Sequence, residues 1–464
     1  MKPLTRRSFL GAASAASAMH LLNVSNAQIG STNASRNARP SRTPNPPKNR
    51  SYPLEGIERQ NIKIIDLKMT PLTYVMKPSE YWSTAQYDCW RTDSILVEVF
   101  TDQGITGIGG SSQYGGPEEM LAYFNKVIRP MMIGKNPFDV ELLATGPSYG
   151  RIGNDWFHKS CAWSGVDCAL WDIIGKVTGM PVYKLLATDN EPDPHVRIYA
   201  SGGVDWKFYD HPESLIEEGI RYKEQGFTAF KFRKGTDWKF SNMNIEKYVP
   251  FLYKLREAVG PEMDLMQESM GGSGHTVNEI VDQFCPVLEE LDFLWFEEPV
   301  SRSLDDQTIL DHIKINEAMP NVMVSGGETK TNRFQFKEWL DRNAFDIAQP
   351  DCNNMGLTES WYVARMANLL GKYCIPHNWH GGLTTMANAH FTAAIPNRLM
   401  CELNQTVNPL TTEVFVEPLV AVNGYMDLPD KPGFGMELAP DLEKRFPFIP
   451  GQAMSFRRQN PVMR

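Results

Sequence analysis

The alternation of apolar and polar positions begins at Asn61. Residues 61–75 (NIKIIDLKMTPLTYV) and 94–110 (SILVEVFTDQGITGIGG) carry aliphatic side chains with a period near two, and the turn residues Asp102-Gln103-Gly104 interrupt the second stretch. A small antiparallel sheet is predicted here. Further on, Val166, Ala169, Leu170, Ile173 and Ile174 fall at i, i+3, i+4, i+7 and i+8, one face of a helix, with Asp167 and Asp172 placed on its flanks. This α+β unit is expected to close near the polar stretch Thr188 to Pro194.

Beyond Val196, short apolar runs alternate with amphipathic stretches of helical length, the pattern of a parallel βα array. Eight runs read as strands: VRIYASG, FTAFKFR, MDLMQE, DFLWFEE, VMVSGGE, FDIAQPD, KYCIPH and RLMCEL. Eight units over about 230 residues suit a closed barrel, whose chemistry sits at the C-terminal ends of the strands. An open doubly wound sheet suits less well, because YASGGVDWKF lacks the second half of the dinucleotide-binding glycine fingerprint.

From the second run onward, each apolar run ends in a charged or titratable residue: Lys231 and Arg233, then Glu268, Glu297, Glu328, Asp351, His377 and Glu402. A barrel brings such residues to one mouth, where buried charges must be paired or bind metal. Glu268, Glu297 and Glu328 come from consecutive runs, and hard oxygen ligands without His or Cys suit Mg²⁺. Glu298 is adjacent to Glu297, and successive strand residues face opposite sides, so one of the two faces the metal and alternation alone does not say which. Lys231 and Arg233 share a face. Asp351 and His377 suit a carboxylate that fixes one imidazole tautomer and leaves the other nitrogen as a base titrating near working pH.

Composition narrows the function classes. The chain has 464 residues with 42% hydrophobic and 22% charged, which supports a real core and excludes disorder, collagen and coiled coil as the overall state. The first 27 residues carry Lys2, Arg6 and Arg7 and no acid, so their removal takes the net charge from −9 to −9 − 3 = −12 and leaves nucleic acid an unsuitable partner. No apolar run is long enough to span a membrane. The seven Cys are scattered and never spaced as C-x-x-C, which reads as small buried hydrophobes rather than a disulfide framework or zinc site.

The N-terminus reads as an address. Thr5-Arg6-Arg7-Ser8-Phe9-Leu10-Gly11, a mild apolar stretch to about Leu22 and the small-residue triplet Ser25-Asn26-Ala27 make residues 1–27 a twin-arginine signal peptide, so export to the periplasm or beyond the cytoplasm is expected. No Cys lies near the cleavage point to carry a lipid anchor. Residues 28–58, rich in Ser, Asn, Arg and Pro, are expected to form a disordered linker.

The stretches SGVDCALWDIIGKVTGMPVYKLL, FKFRKG, DFLWFEEP, GGETK, QPDCNNMGLTE, PHNW and MCEL resemble the enolase superfamily, specifically its mandelate racemase/muconate lactonizing enzyme branch, over about Ile62 to Pro440. The resemblance implies an α/β fold: a modified TIM barrel, (β/α)7β, over 191–425 with an α+β N-terminal capping domain over 59–190, and a C-terminal segment 426–464 packing back on the cap. It also implies one Mg²⁺ per active site, held by Glu268, Glu297 and Glu328 against a substrate carboxylate, with motif position selecting Glu297 of its pair. Members of the family often form symmetric homo-oligomers. Two departures stand out: Lys231-Phe232-Arg233 where the family usually has Lys-x-Lys with the second Lys as base, and Glu268-Ser269-Met270 where it usually has Asp-x-Asn.

The family's shared chemistry is removal of the α-proton of a carboxylate through an enediolate, by a Lys or His base with Mg²⁺. Arg233 is a poor base and a good anion clamp. A racemase needs a base on both faces, so the sequence favours dehydration of a sugar acid to a 2-keto-3-deoxy product. His377 then serves as base or acid, Asp351 orients it, Lys231 neutralises the substrate carboxylate, and Glu402 hydrogen-bonds near the metal-bound oxygens. Tyr81, Trp82, the segment Ser111 to Gly116, Trp379 and His380 are candidates for substrate binding. A racemase or epimerase of a 2-hydroxy acid is the alternative, and an exported, metal-holding sugar-acid binding protein without catalysis is another.

Overall fold

The computed structural model describes residues 43–83, 87–148, 156–205, 208, 211–233, 243–268, 275–451 and 454–456. The proposed leader, residues 1–27, lies outside the described residues, as do residues 28–42 of the expected linker.

The chain first forms β1 (Ile64–Val75), the short strands β2 (Trp82–Ser83) and β3 (Tyr87–Cys89), then β4 (Arg91–Thr101) and β5 (Thr106–Ser111). β1, β4 and β5 make an antiparallel sheet in that order. Alternation buries Leu67, Met69, Ile95, Val97 and Val99 on one face and leaves Ile65 exposed. The helix Trp156–Thr178 covers the buried face. Two glycines of the ITGIGG run explain how closely it does so: a Cβ on Gly107 would stand 2.2 Å from Ala169 O, and one on Gly109 2.1 Å from Gly165 O.

Asp167 and Asp172 correct the sequence reading, because neither sits on a helix flank; both are fully buried. Asp172 accepts from the backbone N–H of Ile108 and Phe434 and from Lys176, while Asp167 accepts from the N–H and hydroxyl of Thr358. They tie this helix to β5, to the C-terminal segment and to the barrel helix Cys352–Leu369. Periodicity marked the apolar stripe, but it could not show that three further surfaces pack around the same helix.

The barrel strands are β6 (His195–Gly202), β7 (Ala229–Phe232), β8 (Asp264–Glu268), β9 (Trp295–Glu297), β10 (Met323–Gly326), β11 (Ile347–Ala348), β12 (Tyr373–Cys374) and β13 (Cys401–Asn404). All eight runs read as strands are present. β6 to β12 lie side by side in chain order, parallel throughout, and β13 joins on the other side of β6. The Cys374 N–H donates to Asn397 O at 3.0 Å, linking β12 to the segment that leads into β13. Helices follow each of the first seven strands, giving the (β/α)7β order. Tyr199, Ala229, Met266, Trp295, Met323, Ile347, Ile375 and Met400 form a separate apolar cluster inside the ring, a plug on which the polar mouth rests.

β14 (Tyr425–Asp427) pairs antiparallel with β6, and β15 (Met454–Phe456) with β3. The expected disordered linker over 28–58 needs correction in its second part, since residues 43–58 pack on the protein. Arg50 is buried and donates to the carbonyls of Pro53, Lys184 and Ala187; Thr43 bonds Asp430 and accepts from Lys184; Leu54 joins the main core. A few apolar and cationic side chains with specific sockets outweigh the Pro- and Asn-rich composition on which the linker reading rested.

Candidate active site

Strand register brings the carboxylates together. Glu268 and Glu297 are direct partners across β8 and β9, and Ser325 of β10 pairs with Glu297. Gly327, at φ +115°, then turns the chain so that Glu328 reaches the same point; a Cβ there would meet the Phe336 ring at 2.4 Å. Oxygens of Glu268, Glu297 and Glu328 all lie within 4.8 Å of one another. Glu298 sits at φ +41° and turns away, accepting from Gly327 N–H and pairing with Arg302. The backbone thus makes the choice within the pair that alternation left open.

Three cations balance this crowd. Lys231 Nζ, fully buried, lies 2.6 Å from Glu297 Oε1, 3.1 Å from Glu402 Oε1 and 3.3 Å from Glu268 Oε2. Arg233 lies 2.8 Å from Glu268 Oε2 with its guanidinium 4.5 Å over the Trp379 ring. Arg302 reaches Glu328 Oε1 at 2.5 Å. Burial pushes Glu297 up to about 7 against the pull of Lys231, whereas Glu328, although burial opposes it, is held at about 2 by Arg302, His377 and Arg233. Burial would lower Lys231, but Glu268, Glu297 and Glu402 overcome it and keep the ammonium charged.

The donor set fits a divalent cation. It is three carboxylates with hard oxygens, and neither oxygen of Glu268 nor Oε2 of Glu328 accepts a hydrogen bond among the described residues, although ion pairs approach them.

His377 Nδ1 lies 2.8 Å from Asp351 Oδ2, and its Nε2 faces Glu328 Oε2 at 3.4 Å. Burial would lower the imidazole, yet Glu328, Asp351 and Glu402 push it up to about 10. That exceeds the near-neutral titration expected from an Asp partner alone, because the Glu328 carboxylate faces the ring from the other side. Asp351 is held below the ordinary carboxylate range: burial opposes ionisation, but His380 and His377 outweigh it, and Asn353 N–H also donates to it. Asp351, His377 and His380 form a second cluster whose ligand atoms lie within 4.8 Å.

Of the substrate-binding candidates, Trp82 meets Trp379 edge-on at 5.7 Å, and Tyr81 packs against the same apolar cluster. Within the segment Ser111 to Gly116, Tyr114 lies against His380 at 5.3 Å and its hydroxyl donates to Trp379 O at 3.5 Å. The cap and the barrel therefore meet at Trp379 and His380. Ser269 and Met270, the departure beside Glu268, lie outside the described residues.

Besides Arg302, four groups escaped the sequence reading. Gln349 Nε2 and Trp295 Nε1 donate to Glu297 Oε2 at 2.7 and 3.1 Å, Ser201 Oγ donates to Glu402 Oε1 at 2.6 Å, and Asn378 N–H donates to Glu402 Oε2 at 2.6 Å. Gln349, Trp295 and Ser201 carried a usable signal, being two residues from a marked strand end or at the end of the one run without a charge. Arg302 is in a loop and carried none.

The chain matches two family descriptions: Mandelate racemase / muconate lactonizing enzyme, N-terminal domain, over residues 74–187, and Enolase C-terminal domain-like over residues 215–442. It is similar to D-galactarolactone cycloisomerase of Agrobacterium fabrum (30% identical, covering 77% of this chain and 92% of that protein) and to arabinonate dehydratase of Saccharolobus solfataricus (29%, 74% and 87%). Among solved structures it resembles a member of the enolase superfamily from Polaromonas sp. JS666, with a TM-score of 0.73 and 27% identity over 84% of this chain and 99% of that one.

Proposed function

Because the chain belongs to the mandelate racemase/muconate lactonizing enzyme branch of the enolase superfamily, we propose that it dehydrates a sugar acid to a 2-keto-3-deoxy product and uses Mg²⁺. The observation that carries this reading is the asymmetry of the mouth. The Asp351–His377 pair stands on one side, and the facing strand position holds Arg233, which does not give up its proton. One competent base suits elimination better than inversion.

Glu268, Glu297 and Glu328 would hold the ion, which supplies Lewis acidity toward a substrate carboxylate. Lys231 and Arg233 add positive charge where a carboxylate of the substrate binds. With the Glu328 charge that raises His377 offset by the ion, Nε2 of the neutral ring takes the proton from the α-carbon and passes it to the departing β-hydroxyl, which leaves as water as its C–O bond breaks. Asp351 keeps Nδ1 protonated, so that Nε2 is the nitrogen that exchanges. The enol then becomes the 2-keto acid.

The test is incubation with Mg²⁺ and a panel of aldonates and aldarates, reading 2-keto products and α-deuterium incorporation from D₂O. Absence of both with every acid would defeat the proposal. The cycloisomerase relative supports a second reading, isomerisation without loss of water; a product of unchanged mass would select it.

We also propose twin-arginine export of the mature protein, on the strength of Arg6 and Arg7 ahead of the apolar stretch. Arg6→Lys with Arg7→Lys keeps the charge and should leave the protein in the cytoplasm; undiminished export would refute that route.

A further inference from the structure

Trp379 and His380 follow His377 on the same loop and are 2% and 4% exposed. His380 Nε2 lies 2.9 Å from Asp351 Oδ2, the same oxygen that His377 uses. An ionised carboxylate only accepts, so Nε2 carries the proton, and Nδ1 of a neutral ring is left as an acceptor. That Nδ1 has no hydrogen-bond partner among the described residues. Neither has Nε1 of Trp379, which is a donor only.

Buried polar atoms are normally satisfied. Tyr199 OH also lacks a partner, but it belongs to the apolar plug beneath the mouth. Trp379 and His380 are placed differently. Arg233 lies over the indole, Asp351 holds the imidazole, and Trp82 and Tyr114 of the cap close against the two rings. A donor and an acceptor on consecutive residues of one loop are what hydroxyl groups, themselves donors and acceptors, can satisfy.

We propose that Trp379 Nε1–H and His380 Nδ1 form a subsite for hydroxyl groups of the substrate beyond the two reacting carbons. This rests on the sugar-acid reading and adds the place where the polyol chain is recognised. A site built to bond a hydroxyl discriminates against an analogue lacking it, because its buried groups are then left unpaired.

The experiment uses the full exported protein with Mg²⁺, its best aldonate from a panel that includes arabinonate and galactonate, and analogues of that aldonate deoxygenated at carbon 4 or carbon 5. Trp379→Phe keeps a smaller aromatic ring beneath Arg233 and removes the donor; it should raise KM for the aldonate about tenfold, change kcat less, and shrink the preference over one deoxy analogue by a similar factor. His380→Asn is the second variant, read by the same preference, with thermal melting to verify folding. Turnover of an aldonate by wild type with KM and preference within twofold in both variants would overturn the subsite and leave the dehydratase reading standing. If wild type neither converts nor exchanges any aldonate, the dehydratase reading falls and the subsite with it.

Discussion

Oδ2 of Asp351 lies 2.8 Å from Nδ1 of His377 and thereby decides which nitrogen of that ring faces the mouth. The other nitrogen stands 3.4 Å from Glu328, a carboxylate that a divalent cation would share.

His377→Asn should lower turnover by about 10² or more, the usual scale of one acid–base group, with substrate binding less affected. Arg233→Lys places a side chain able to deprotonate on the opposite face and should introduce α-proton exchange from that side, read by the stereochemistry of deuterium incorporation. Near-normal turnover in His377→Asn together with its loss in Arg233→Lys would reverse the roles and bring Lys231 forward as the base.

Glu297→Gln retains shape but removes one charge from the carboxylate trio and leaves Lys231 with two partners, Glu268 and Glu402. Calorimetric Mg²⁺ affinity should fall about tenfold or more, the order of one coordinating carboxylate or its supporting shell. Unchanged affinity would remove Glu297 from the proposed metal site.

Arg50→Ala leaves the carbonyls of Pro53, Lys184 and Ala187 without their donor in a buried socket. A loss of about 3 kcal/mol is expected from several buried hydrogen bonds, and Arg50→Lys should rescue only part of it, because an ammonium does not reproduce the planar fork. Urea midpoints for the two variants check this; equal stability to wild type would mean that the Arg50 hydrogen bonds contribute nothing to the fold.

His390 sets an acid limb of stability. It is fully buried against Tyr183 and Phe434, its Nδ1 accepts from Tyr183 N–H at 3.3 Å, and burial lowers it to about 3. As the pH falls below about 6.5 the unfolded chain takes up this proton and the folded one does not, so stability is lost progressively down to about pH 3, by about 5 kcal/mol in all. His390→Asn keeps an acceptor for Tyr183 and cannot titrate. Denaturation midpoints between pH 7 and 4 should therefore slope less in that variant; an identical slope would assign the acid limb to other groups.

The sequence by itself determined the kinds and order of the elements, since side-chain period is a local property: two for β1 and β4, near 3.6 for the helix around Val166 to Ile174, and eight short runs each followed by a helical stretch. It also placed a charged residue at the end of seven of those runs, because a barrel mouth tolerates polar groups only there. What it could not determine were relations between residues far apart in the chain. The positive φ of Glu298 turns it away and leaves Glu297 at the mouth, the choice that motif position made and alternation did not; His377 lies between Asp351 and Glu328 where β10, β11 and β12 run side by side; and Asp167, Asp172 and Arg50 are buried by surfaces that arrive more than a hundred residues later. Burial, pairing and the resulting protonation depend on three-dimensional neighbours, and only the tertiary structure decided those.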